Sequence, residues 1–201
     1  MIAIIDYGMG NLRSVHNAFR KVRHESVVTS DRKVISDATH IVLPGVGAFS
    51  ECMNHLKATG LVSLIIKSIQ EGKPFLGICL GLQLLFSKSE EFGEHEGLNL
   101  IRGEVKRFPE MGLKVPHIGW NQVQPLENCP IFKGIPQNAY FYFDHSYYVS
   151  PKEKEVTASW TDYGISFSSS VWRENLFACQ FHPEKSQKMG LKLLENFGEL
   201  K

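Results

Sequence analysis

The chain has 201 residues, 43% of them hydrophobic and 21% charged, the balance of an ordinary soluble protein long enough to bury a sizeable core. A formal net charge of +1, with the 22 basic residues scattered, offers none of the basic stripes that nucleic acid or an acidic membrane would require. No apolar run approaches the roughly 18 residues of a membrane span, and the four cysteines, Cys52, Cys79, Cys129 and Cys179, form no CxxC pair. With Met1–Asp6 opening directly as a strand and no basic leader before it, these features predict a cytoplasmic protein with reduced thiols and neither metal nor cofactor.

In chain order, Met1–Asp6 is an apolar run closed by an acid, which suits a buried parallel strand. Leu12, Val15, Phe19 and Val22 then recur at helical spacing. Gly8 and Gly10 in the intervening loop imitate two glycines of a dinucleotide fingerprint. Position 13 is Arg, however, and no ribose-binding acid follows, so a loop that contacts a ligand or partner is the better reading. Glu25–Thr29 and His40–Leu43 predict two further strands, the second ending in Pro44-Gly45-Val46-Gly47. Two glycines around one valine allow a peptide to turn over, so this stretch suits an oxyanion donor and equally a plain tight turn. Helices follow over about Ser50–Ala58 and Leu61–Glu71, with Gly60 and Gly72 as stops.

The stretch Lys73–Gln83, K-P-F-L-G-I-C-L-G-L-Q, organises the rest. Pro74–Ile78 predicts a buried strand, and the apolar run from Leu80 to Phe86 predicts a helix. Cys79 then sits on a sharp strand-to-helix turn bracketed by Gly77 and Gly81, the geometry of a nucleophile elbow with sulfur in place of a hydroxyl. A helix N-terminus at the sulfur would favour thiolate, and the Leu80 N–H would point at the atom under attack. A buried structural cysteine is the plain alternative.

Beyond Phe86 the character changes. Ser87–Gly97 is acidic and glycine-punctuated and predicts a solvated loop. From Asn99 to Gln180 the strands are short and antiparallel, with turns at Asp162-Tyr163-Gly164 and Arg173-Glu174-Asn175. No linker or repeat interrupts the chain, which predicts one domain over 1–201. The final strand, Leu176–Gln180, leads through His182-Pro183-Glu184 to a helix over about Ser186–Leu200. In an extended segment residues two apart share a side, so Glu184 can hold the His182 imidazole. With Cys79 this makes a nucleophile, a base and an orienting acid.

Three motifs together, P-G-V-G, G-I-C-L-G-x-Q and Q-F-H-P-E-K-S, resemble the class I (triad-type) glutamine amidotransferases. D-Y-G-M-G-N-L, H-I-G-W-N and Y-F-D-H-S-Y-Y narrow the resemblance to the glutaminase subunits of imidazole glycerol phosphate synthases. The likeness runs from residue 6 to residue 186. It implies a flavodoxin-like α/β fold, a central mostly parallel sheet flanked by helices with an additional antiparallel region. It also implies a reaction in which Cys79 attacks the side-chain amide of L-glutamine, His182 carries protons and Glu184 orients it. Leu80 and the Gly45–Val46 region would hold the oxyanion. Gly47, Gln83 and the His145-Ser146-Tyr147 backbone match positions that grip glutamine. Ammonia would pass to a (β/α)8-barrel cyclase in a heterodimer, with Asn11, Trp120, Asn121, Tyr142 and Lys185 at or near the interface. For Trp120 and Tyr142, core packing is the alternative. Asp144 departs from the pattern, which has a small aliphatic residue there. A paralogous glutaminase serving amidino-sugar synthesis shares these motifs. A pyridoxal-phosphate-pathway glutaminase would carry a G-G-E-S segment that is absent here. A non-catalytic or redox-sensing protein would retain the elbow cysteine and has no need of an H-P-E segment near the C-terminus.

Overall fold

The computed structural model describes residues 1–126 and 128–201. Its first half is strand and helix in alternation: β1 (Ile2–Ile5), α1 (Leu12–Lys21), β2 (Ser26–Thr29), α2 (Arg32–Asp37), β3 (His40–Gly45), α3 (Phe49–Ala58), α4 (Val62–Gln70) and β4 (Phe75–Cys79). β1, β3 and β4 are buried at every position, as strands covered on both faces must be. β2, at the sheet edge, is half-buried throughout. α1 turns Val15, Ala18 and Phe19 inward at the spacing its sequence shows. α2 is an addition to the expected elements. It is six residues long with only Ile35 buried, too short to display a period, and is started by Asp31, whose side chain accepts from the Lys33 and Val34 N–H groups.

The elbow helix is shorter than its apolar run predicts. α5 (Leu80–Gln83) is a single turn, and Phe86 already belongs to β5 (Phe86–Ser89). An apolar run buried on all sides does not distinguish helix from strand. Here the Leu84 and Leu85 carbonyls accept from Leu98, Leu100 and Ile101, which draws the chain into a sheet. The stretch expected as a solvated loop therefore holds β5 and the two-residue β6 (His95–Glu96). Lys88 of β5 bridges Glu94 and Glu104.

The remaining elements are β7 (Ile101–Arg107), β8 (His117–Pro125), β9 (Ala139–His145), β10 (Tyr147–Pro151), β11 (Thr157–Asp162), β12 (Ser166–Arg173), β13 (Leu176–Cys179) and α6 (Gln187–Gly198). The strands run β2-β1-β3-β4-β13-β12-β10-β7-β5-β6, parallel as far as β13 and largely antiparallel beyond it. A branch leaves β12 through β11 to β8 and β9. The antiparallel half thus extends the parallel sheet. The decisive pairing is β13 with β4, which sets Ala178 opposite Gly77 and Cys179 opposite Ile78. A strand from the end of the chain lies beside the one that carries Cys79.

Candidate active site

The carboxyl ends of β3, β4 and β13 lie side by side, the edge of a parallel sheet where ligands bind. Cys79 closes β4 with φ 55° and ψ −110°, a left-handed conformation that costs a non-glycine residue about 1–3 kcal/mol. The turn is possible because Gly77 and Gly81, two residues to either side of Cys79, have no side chains. A Cβ on Gly77 would stand 2.7 Å from the Gly81 carbonyl oxygen, and one on Gly81 would collide with the Leu43 carbonyl. The sharp elbow expected from the sequence is present. Its one-turn helix, however, supplies only a weak dipole to the sulfur.

The stronger influence on the sulfur is His182. Cys79 and His182 open onto one cavity of about 250 Å³. His182 Nδ1 donates to Glu184 Oε1 at 2.8 Å, with the two side chains 3% and 1% exposed, so Nε2 is the ring atom left for the sulfur. Burial alone would lower the imidazole pKa. The charge and hydrogen bond of the Cys79 sulfur and the Glu184 carboxylate outweigh it and lift the value to about 10. A cationic imidazole beside a sulfur is the arrangement that activates a cysteine.

The His182–Glu184 pair is not built by an extended segment, as residue alternation predicts. His182 is extended (φ −101°, ψ 94°), but Pro183–Lys185 form one 3-10 turn that brings Glu184 back to the ring. Proline suits the first position of such a turn because its missing N–H is not needed there. Ser186 secures the segment, donating from Oγ to the His182 carbonyl at 2.6 Å and accepting from the Tyr142 N–H at 2.9 Å.

Val46 and Gly47 line the cavity from the loop after β3, and Leu80 and Gln83 line it from α5. Gly45 does not line it. It sits opposite Cys79 in register, and a Cβ there would approach the Leu80 Cβ to 2.6 Å. His145, Ser146 and Tyr147 form the facing wall at the junction of β9 and β10. The His145 and Gln83 side chains are turned into the protein: His145 Nδ1 bonds the Tyr147 carbonyl, and Gln83 Nε2 donates to that carbonyl and to Gln180 Oε1. Glu91, which sequence reasoning missed, also lines the cavity. Its Oε2 accepts from the Phe49 N–H at 2.6 Å, and burial raises its pKa. It lies within the acidic stretch that reads as a solvated loop, so no local signal separates it from Glu90.

Of the residues matched to an interface, Trp120 is 46% exposed and meets Tyr142 edge-on at 6.1 Å between ring centroids, with the Lys185 Nζ 5.4 Å from the Tyr142 ring centroid. Trp120 is therefore not core. Asn11 stands half-buried just before α1. Asn121 is half-buried, donating to the Asp162 carbonyl at 2.8 Å and contacting His117 Nε2 at 3.2 Å. Asp144 is exposed and, with Lys185, lines the cavity. Among the described residues, no group of three or more His, Cys, Asp or Glu is arranged to hold a metal ion.

Residues 3–199 match the glutamine amidotransferase class-I family. The chain is 55% identical over 206 residues to the imidazole glycerol phosphate synthase subunit HisH of Syntrophotalea carbinolica, covering all of both chains. It is 55% identical over 195 residues to that of Aquifex aeolicus, covering 96% of this chain and 94% of that one. Among solved structures it is similar to a glutamine amidotransferase (TM-score 0.76, 17% identity, 98% of this chain and all of that one). It is also similar to PurLQS of Thermotoga maritima (TM-score 0.73, 15% identity, 98% and 96%), a likeness of fold. The chain belongs to the class-I glutamine amidotransferase family.

Proposed function

We propose that this chain is the glutaminase subunit of an imidazole glycerol phosphate synthase, working in the cytoplasm with a (β/α)8-barrel cyclase as its partner. One observation carries the chemistry: Cys79 and a carboxylate-held His182 share one cavity. Full-length relatives at 55% identity support the pathway, histidine biosynthesis.

The Cys79 sulfur attacks the side-chain carbonyl carbon of L-glutamine and forms a C–S bond. The oxyanion falls to the Leu80 N–H and to a donor from the Gly45–Val46 peptide, each such donor contributing about 3 kcal/mol in comparable acyl-transfer sites. His182 gives its proton to the departing nitrogen, the C–N bond breaks, and ammonia leaves. Water, deprotonated by His182, then adds to the thioester. The C–S bond breaks, glutamate leaves and the sulfur is free again, so the sum is glutamine plus water to glutamate plus ammonia. Glu184 holds the imidazole in place and stabilises its cationic form. In this reading Glu91, in the cavity wall, meets the α-ammonium of the substrate, and the Gly47, Ser146 and Tyr147 backbone its carboxylate and amide.

A glutamine-like electrophile, 6-diazo-5-oxo-L-norleucine, should modify Cys79 stoichiometrically. The barrel protein that co-purifies should bind an acceptor substrate that accelerates ammonia release. Labelling spread over all four cysteines would overturn the glutaminase reading. A sugar-modifying partner would overturn the pathway alone.

A further inference from the structure

Behind the cavity, hydrogen bonds run without a break from β8 to the nucleophile, and the polarity of each is determined. The Tyr147 carbonyl can only accept, so His145 Nδ1, 2.8 Å away, carries the proton. In the neutral ring Nε2 is then an acceptor, and His117 Nδ1, at 2.9 Å, must be the donor to it. That leaves His117 Nε2 to accept from Asn121 Nδ2 at 3.2 Å. Both rings are neutral, because burial pushes His117 down to about 4 and His145 to about 3. The Tyr147 carbonyl also accepts from Gln83 Nε2 at 3.1 Å, and the other hydrogen of that amide goes to Gln180 Oε1 at 3.0 Å. With its oxygen committed, Gln180 turns Nε2 toward the Cys79 Sγ at 3.8 Å.

We propose that Gln180 is a catalytic residue whose amide N–H donates to the Cys79 sulfur, with His117 and His145 as positioning residues that set it through the Tyr147 carbonyl and Gln83. The inference rests on the glutaminase reading and deepens it. Gln180 is fully buried and does not line the cavity, so water cannot replace its donor and glutamine does not touch it. A hydrogen bond to sulfur is strongest while the sulfur is anionic, before attack and again as the thioester breaks. It weakens while the C–S bond is intact. By holding the sulfur in the orientation needed for attack, and by stabilising the charge that re-forms on it as the thioester breaks, the donor acts on rate and leaves substrate affinity unchanged.

The experiment is inactivation of the full chain by 6-diazo-5-oxo-L-norleucine, resolved into kinact and KI. Gln180→Met should lower kinact by roughly ten- to a hundredfold with KI unchanged, the scale of one lost hydrogen bond to a charged group. Gln180→Glu keeps the shape and removes the donor, so it should fall at least as far. His117→Phe should lower kinact by roughly threefold alone and have no further effect in the Gln180→Met background, since coupled residues are not additive. Wild-type kinact in Gln180→Met or Gln180→Glu would overturn the role of Gln180. An equal loss from His117→Phe in both backgrounds would overturn the positioning chain. Failure of the wild-type protein to react at Cys79 would instead sink the glutaminase reading beneath both.

Discussion

At Cys79 the backbone holds a left-handed conformation that only a surrounding packed structure can sustain, and in the proposed reaction the side chain at that point is the nucleophile. Cys79→Ala should abolish glutamine hydrolysis and leave partner binding intact, as measured by ammonia release and co-purification; residual turnover would move the nucleophile elsewhere. Glu184→Gln removes only the charge behind the imidazole, so its loss of kcat should be smaller, roughly a hundredfold. Losses of equal size would contradict the orienting role. The raised pKa of His182 has a consequence for stability. Its folded value of about 10 exceeds the ordinary 6.5, so the native state binds the proton more tightly. That stabilisation is complete below about pH 6.5 and is lost as pH rises through about 10. The difference in melting temperature between wild type and His182→Asn should therefore shrink over this window, and a difference independent of pH would place the proton elsewhere.

The elbow shows what a single element requires. Gly81 stands where a Cβ would strike the Leu43 carbonyl of the neighbouring strand, a backbone atom that cannot swing aside. Gly81→Ala should destabilise by about 1–3 kcal/mol or more, as overpacking does, and should lower kcat because the sulfur moves with the turn. Chemical denaturation and turnover of the same variant test both, and full stability would show that the turn relaxes. β4 and its glycine bracket were legible in the sequence because the reasons for them are local. The length of α5 was not, since Leu80–Phe86 is apolar on every side and only the sheet bonds from Leu84 and Leu85 decide where the helix stops. The His182–Glu184 contact was anticipated through alternation along a strand, whereas a 3-10 turn makes it. Two local geometries can bring the same two residues together.

Across the molecule, the site lies where the parallel half of the sheet meets the antiparallel half. The β8–β9 pair presents Ile118, Trp120 and Tyr140, exposed by 56%, 46% and 54%, on its outer face. An apolar, aromatic face of this kind fits a partner-binding surface. Trp120→Ala should weaken binding to the barrel partner by about tenfold or more, by calorimetry, while electrophile labelling of Cys79 in the free chain stays unchanged; unaltered affinity would remove Trp120 from the interface. By itself the sequence determined the kind of chemistry, because a glycine-bracketed cysteine, an H-P-E segment and the family motifs are short patterns set by local sterics. Only the tertiary structure decided that β13 inserts beside β4, that Glu91 leaves its acidic neighbours to line the cavity, and that Gln180 turns its amide to the sulfur. Those outcomes depend on pairings between residues far apart in the chain, where the periodicity of a sequence reports burial but not the neighbour that provides it.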